Sequence, residues 1–300
     1  MIELSHVTKT FGSATRALDD LTLTVPQGAV YGLVGSNGAG KTTAIRHITG
    51  IFRQDSGSVT IGGLPVYENP AVKSRVVFVP DDLYFLPQGS MNRMAKLYAT
   101  AYSNFSFERY RSMTETFGLD PTRNLVTFSK GMRRQAATIL ALACMPDYLF
   151  FDETFDGLDP VMRNLVKNII YNDVMERGTT TVITSHSLRE LEDTCDQLAL
   201  LHKGGIIFES DIQDLKTSLF KVQVAFNYDY GRELFQNIDM LSFSKKGTVS
   251  NFIVRGDRER TIASLRSMNP ILLDVLPLSL EEVFIYEMEA LGYAFKDILM

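Results

Sequence analysis

The run Gly35-Ser36-Asn37-Gly38-Ala39-Gly40-Lys41-Thr42 constrains this chain more than any other feature. It follows Val30–Val34, an apolar run suited to a strand buried on both faces. It precedes a segment from Lys41 to about Gly50 with helical patterning. Strand, glycine-rich turn and helix in that order fit a loop that wraps phosphate. The glycines let backbone N–H groups turn inward around phosphate oxygens, and the helix N-terminus adds a favourable dipole. Lys41 supplies a point charge for the β- and γ-phosphates, and Thr42 supplies a hydroxyl ligand for Mg²⁺. Gly35 to Thr42, with Thr43 behind them, are the expected nucleotide-binding residues, and ATP and Mg²⁺ the expected ligands.

A loop of this kind needs a buried strand before it, and the chain around it has the matching periodicity. Ile2–Leu4 and Leu21, Leu23 and Val25 alternate in period two; Ser58–Ile61 and Val76–Val79 read as further strands. From about Leu83 to Ala143 the pattern is mainly helical and rich in Met, Tyr and Arg. Tyr148–Phe151 and Thr180–Thr184 are buried-type strands. Asp159-Pro160 starts one helix, and a Ser187/Glu190 capping box opens another. Strands alternating with helices predict an α/β fold built on a mostly parallel sheet.

Tyr148–Phe151 runs into two acids, Asp152 and Glu153. With a phosphate loop on the same chain, Asp152 is expected to hold Mg²⁺ through water and Glu153 to polarise the attacking water as general base. A plain solvated turn is the alternative for such a pair taken alone.

Net charge is −5, which argues against a nucleic-acid partner, since phosphate neutralisation needs clustered Lys and Arg. The two cysteines, Cys144 and Cys195, have no metal-ligand spacing and read as free thiols. The N-terminus lacks a signal-peptide apolar stretch, and no run approaches the roughly 18 apolar residues of a membrane helix.

Phe128-Ser129-Lys130-Gly131-Met132, just before a long helix and upstream of the acids, completes a pattern. The chain resembles an ABC transporter ATP-binding subunit over residues 1–215. That family's signature is usually Leu-Ser-Gly-Gly-Gln; Ser129 and Gly131 match it, while Phe128, Lys130 and Met132 depart from it. Asp156-Gly-Leu-Asp159 matches the loop after the acids, and His186 the switch histidine. The resemblance implies a P-loop NTPase (RecA-like) fold with an antiparallel β subdomain and an inserted helical subdomain at about 83–145. It implies catalytic roles for Glu153, His186 and Lys41. It places Ser129, Lys130 and Gly131 on a nucleotide held by a second copy of the chain. Phe11 sits where the family stacks an aromatic on adenine. Asp81 takes the place of the family's metal-contacting glutamine, with Gln88 as the rival.

The resemblance also implies an integral membrane permease as a separate partner chain, served from the cytoplasmic face of the membrane. Tyr84, Phe85, Leu86, Met91, Met94 and Tyr98 supply candidates for the receiving surface. A soluble ATPase of the same type acting on ribosomes or DNA is the alternative. Ribosomal ones usually carry two cassettes, and DNA ones a long coiled-coil insertion. A third class, a non-hydrolysing nucleotide sensor, is opposed by the presence of Glu153 and His186.

Residues 216–300 read as a small α+β accessory domain. Its elements are a strand at Phe220–Phe226, a short helix at Gly231–Asn237 and a hairpin around Lys245-Lys246-Gly247. A helix at Arg258–Met268, a strand at Ile271–Val275 and a final helix opened by a Ser279/Glu282 capping box complete it. That order permits a ferredoxin-like fold. Leu280-Glu281-Glu282-Val283-Phe284 resembles the tails of ATPase subunits of bacterial drug and peptide exporters.

Overall fold

In the computed structural model the described residues are 1–12, 15–153 and 158–290. They form two compact units, Met1–Glu209 and a second beginning at Ser210.

The chain runs β1 (Ile2–Phe11), β2 (Thr15–Val25), β3 (Val30–Val34), α1 (Lys41–Ile48), β4 (Ser56–Ile61), β5 (Leu64–Pro65), α2 (Pro70–Lys73) and β6 (Val76–Val79). Three helices follow: α3 (Met91–Ala101), α4 (Phe107–Thr116) and α5 (Lys130–Ala143). Then come β7 (Tyr148–Asp152), α6 (Pro160–Arg177), β8 (Thr180–Ser185), α7 (Leu188–Glu192), β9 (Gln197–His202) and β10 (Gly205–Asp211).

The central sheet has the order β10-β9-β3-β8-β7-β6. Its β9-β3-β8-β7-β6 pairings are all parallel. Every residue of β3, β7 and β8 is buried, which is why they read as unbroken apolar or β-branched runs. A second sheet, β2-β1-β4-β5, is antiparallel and alternates buried with exposed positions. Its buried side chains, among them Leu4, Val7, Leu21 and Val59, share one core with Ile45 and Ile48 of α1 and Phe150 of β7.

Each α-helix between β6 and β7 starts at a serine whose hydroxyl accepts a backbone N–H: Ser90 from Arg93, Ser106 from Arg109 and Ser129 from Met132. Met91 and Met94 of α3 are buried and belong to the core, which removes them from the receiving surface. Tyr84 is 77% exposed. Asp159 caps α6 by accepting from Val161 and Met162, with Pro160 as the first helical residue. The Ser187/Glu190 box is not formed. Glu190 instead accepts from the Ser185 hydroxyl and pairs with Arg163.

The second unit contains α8 (Ile212–Ser218), β11 (Leu219–Ala225), β12 (Met240–Lys246), β13 (Val249–Arg255), α9 (Arg258–Ser267), β14 (Leu272–Leu276) and α10 (Leu280–Ala290). Its sheet is β12-β13-β11-β14, antiparallel throughout, with the first and third strands of the unit at the centre. This is the ferredoxin-like order. The first crossover is a single 3₁₀ turn, Arg232–Phe235, rather than a helix over Gly231–Asn237. Gly231 offers no capping side chain, and the turn is pinned by Phe235, buried against Phe226 and Phe252. Ser279 and Glu282 form the reciprocal capping box at the head of α10.

Candidate active site

Parallel strands in register deliver their C-terminal ends to one place. Val34 pairs with Ser185, Asp152 with Thr184, and Val79 with Phe151. The residues just past β3, β6, β7 and β8 therefore converge at one edge of the sheet, where open α/β sheets bind ligands. A cleft of about 430 Å³ opens there. Its lining includes Ser36, Asn37, Gly38, Gly40, Lys41, Thr42 and Thr43 from the loop, Asp81 after β6, Glu153 after β7 and His186 after β8. Lys130 of α5 and Thr15, Arg16 and Ala17 of β2 complete the wall.

At two positions the loop has no room for a Cβ. A Cβ at Gly35 would lie 2.4 Å from the Leu201 carbonyl oxygen. Gly40 has φ +113°, and a Cβ there would lie 2.7 Å from the Ala17 carbonyl oxygen. Gly40 precedes α1 without a side-chain cap, leaving the first N–H groups of the helix for an anion. Ala39 is buried beneath the loop.

Lys41 is 5% exposed. Its Nζ donates to the Gly35 carbonyl at 2.7 Å and lies 3.1 Å from Glu153 Oε1. The Thr42 hydroxyl donates to Asp152 Oδ2 at 2.8 Å, and the Thr184 hydroxyl to Asp152 Oδ1 at 2.6 Å. Asp152 is thereby buried but satisfied on both oxygens. Glu153 has φ +50°, a left-handed conformation that costs a residue with a side chain about 1–3 kcal/mol. Its N–H is held by the Thr184 carbonyl, and its carbonyl by the Arg134 guanidinium. His186 Nδ1 lies 2.7 Å from Glu153 Oε2. Burial raises the Glu153 carboxyl, but the His186 hydrogen bond and the Lys41 ammonium together outweigh it and hold the group below its ordinary value.

Asp81 lies in the cleft and Gln88 does not. Phe11 is 40% exposed, outside the cleft lining, with its ring edge-on to Phe52 at 5.4 Å and Lys9 over its face. Ser129 and Gly131 lie outside the cleft, whereas Lys130 of the same chain lines it. Of the Asp156–Asp159 loop, Asp156 and Gly157 lie outside the described residues. Arg134, Thr184 and Arg16 were not singled out from the sequence. Arg134 alone carried a signal, a charge on the otherwise apolar stripe of α5.

The chain is 30% identical over 286 residues to the ABC transporter ATP-binding protein YtrB of Bacillus subtilis, covering 95% of this chain and 97% of that one. The chain belongs to the ABC transporter family. The family's sequence profile matches residues 18–156. The daunorubicin/doxorubicin resistance ATP-binding protein DrrA of Streptomyces peucetius is 35% identical over 225 residues, 73% of this chain and 67% of that protein. A solved ATP-binding subunit of an ABC transporter superposes with a TM-score of 0.66 at 25% identity, covering 72% of this chain and 91% of that one. The chain is thus the ATP-binding, ATP-hydrolysing subunit of an ABC transporter. Subunits of this family dimerise and work with membrane permeases. Among the described residues no helix is long and apolar enough to cross a membrane.

Proposed function

We propose that this chain drives an exporter of amphipathic compounds, antimicrobials or peptides from the cytoplasmic face of the membrane, with Lys41, Glu153 and His186 as its catalytic residues. The observation that carries the catalytic assignment is the Lys41–Glu153–His186 chain of contacts, 3.1 Å and 2.7 Å, at the mouth of the phosphate loop. Export is supported by similarity to a drug-resistance protein.

Loop N–H groups and Lys41 would hold the β- and γ-phosphates. Glu153, ionised and flanked by His186, would orient a water toward the γ-phosphorus and accept its proton as the bond to the β-phosphate oxygen breaks. His186 would hold the γ-phosphate and that water. The Thr42 hydroxyl and Asp152 carboxylate are hard oxygen donors, and Asp81 brings a further carboxylate to the cleft; this donor set suits Mg²⁺, which binds few protein ligands beside phosphates and water. Bound Mg²⁺ would neutralise charge on the phosphates. Phe11 would turn onto the adenine, where stacking is worth about 1–3 kcal/mol.

Ser129 and Gly131, at the exposed start of α5, would close over nucleotide held by a second copy, while Lys130 adds charge to the site. The exposed Tyr84 with Phe85 and Leu86 would receive the permease. The 216–300 region would be an accessory domain strengthening the dimer.

Phosphate release by the purified chain tests the ATPase assignment, and His186→Ala should abolish it. Co-purification with a multi-helix membrane protein tests the transporter role; recovery only with ribosomes or DNA would overturn it. Dimerisation unchanged on deletion of 216–300 would remove the accessory role.

A further inference from the structure

Arg134 is 2% exposed, one of few charges so deeply placed among the described residues. It lies on α5, one turn beyond the Ser129–Gly131 segment. Its Nη1 donates to the main-chain carbonyl of Glu153, and its Nη2 pairs with Asp81 Oδ1 at 2.5 Å. One rigid guanidinium thus ties the signature helix, the residue in the family glutamine's place and the backbone of the acid beside the phosphate loop. Glu153 is in a left-handed conformation held from two sides, by Thr184 through its N–H and by Arg134 through its carbonyl. Loss of either hold would let that backbone relax and turn the carboxylate away from Lys41 and His186.

We propose that Arg134 is a positioning residue for Glu153, and that Asp81 acts on turnover through Arg134. Asp81 is largely exposed and lines the cleft, so it anchors Arg134 from the nucleotide side. The planar fork of arginine reaches two acceptors at once, which the single ammonium of lysine does not. Movement at the start of α5, where nucleotide on a second copy would press, reaches Glu153 along one helix turn and one side chain. This inference rests on the reading of Glu153 as general base.

The test is steady-state ATP turnover with Mg²⁺, together with binding of a fluorescent ATP analogue, for Arg134→Met, Arg134→Lys, Asp81→Asn, Glu153→Gln and the Asp81→Asn/Arg134→Met double variant. Arg134→Met should lower kcat roughly 10- to 100-fold with KM and nucleotide affinity unchanged, because small misplacements of catalytic groups cost that much. Arg134→Lys should recover part of the loss. At saturating Mg²⁺, where loss of a metal contact is compensated, Asp81→Asn should lower kcat without raising KM and add nothing in the Arg134→Met background. If Asp81→Asn costs as much in that background as by itself, Asp81 acts independently of Arg134 and the proposal fails. It fails too if affinity drops with kcat in both Arg134 variants, which is the mark of a purely structural residue; Arg134→Lys decides this should Arg134→Met not fold. Turnover lost in Glu153→Gln but kept in Arg134→Met overturns the proposal alone. Turnover kept in Glu153→Gln overturns the general-base reading and the proposal with it.

Discussion

Lys41 Nζ and Glu153 Oε1 lie 3.1 Å apart. The ammonium at the head of α1 and the carboxylate just past β7 are thus engaged with one another. Phosphate entering the loop would compete with Glu153 for Lys41, and a carboxylate released from an ammonium is a stronger base. On the proposed reading of the site, binding and activation would be coupled through this one ion pair, buried enough to be little screened.

Glu153→Gln removes the proposed base but keeps the side-chain shape, and it frees Lys41 from a charged partner. We expect turnover to fall at least about 100-fold while ATP affinity stays the same or tightens. Phosphate release and nucleotide titration of the purified variant measure both. Turnover within threefold of the wild type contradicts the assignment.

Asp81 and Gln88 separate by metal dependence. Only Asp81 faces the cleft, so Asp81→Ala should raise the Mg²⁺ concentration for half-maximal turnover and Gln88→Ala should not. The reverse pattern would give the glutamine role to Gln88. A fall in kcat without a shift in Mg²⁺ dependence would leave Asp81 acting only through Arg134.

Much of this site was legible in the sequence, because its parts sit at the ends of strands that had to be buried. Val30–Val34, Tyr148–Phe151 and Thr180–Thr184 show their burial as continuous apolar or β-branched runs, and whatever follows a parallel strand lands at the same sheet edge. The Arg134–Asp81 pair was not legible, because it joins residues separated by 53 positions through tertiary packing alone. The side chains of Met91 and Met94 look alike whether in a core or on a docking face; only the fold decides. The Ser187/Glu190 box failed for a similar reason: Ser185 and Arg163 offered Glu190 better partners than the helix start did.

Arg109 and Asp173 test how the helical segment is fastened. Arg109 of α4 makes two bonds of 2.6 Å to Asp173 of α6, whose side chain is 4% exposed. Arg109→Met would leave that carboxylate with only Arg177, at 3.5 Å. Breaking one side of such a buried pair costs about 3 kcal/mol. Urea unfolding should show that loss; a change below about 0.5 kcal/mol, the ordinary surface effect, would mean the pair is not holding the helices.

Cys144 and Cys195 are both buried. Burial pushes the Cys144 thiol up to about 12 and the Cys195 thiol well above its ordinary value. Thiolate is the reactive form, so iodoacetamide at neutral pH should leave the folded chain unmodified and alkylate both thiols in denaturant. Mass spectrometry reads the difference. Rapid labelling of either thiol in the folded chain would contradict its burial.

The acid side of the stability profile follows from Glu153. Burial alone would raise its carboxyl, but the His186 hydrogen bond and the Lys41 charge prevail, so the folded-state value lies below the ordinary 4.5. A group lowered on folding contributes stability that is fully present above its unfolded value and is lost as pH falls through its folded value. Glutamine at this position has no such titration. Between roughly pH 6 and pH 3, the wild type should therefore lose more Tm than Glu153→Gln, with the divergence setting in only below the ordinary carboxyl value. Parallel melting curves across that range would mean that the pairings with Lys41 and His186 do not stabilise the ionised carboxylate.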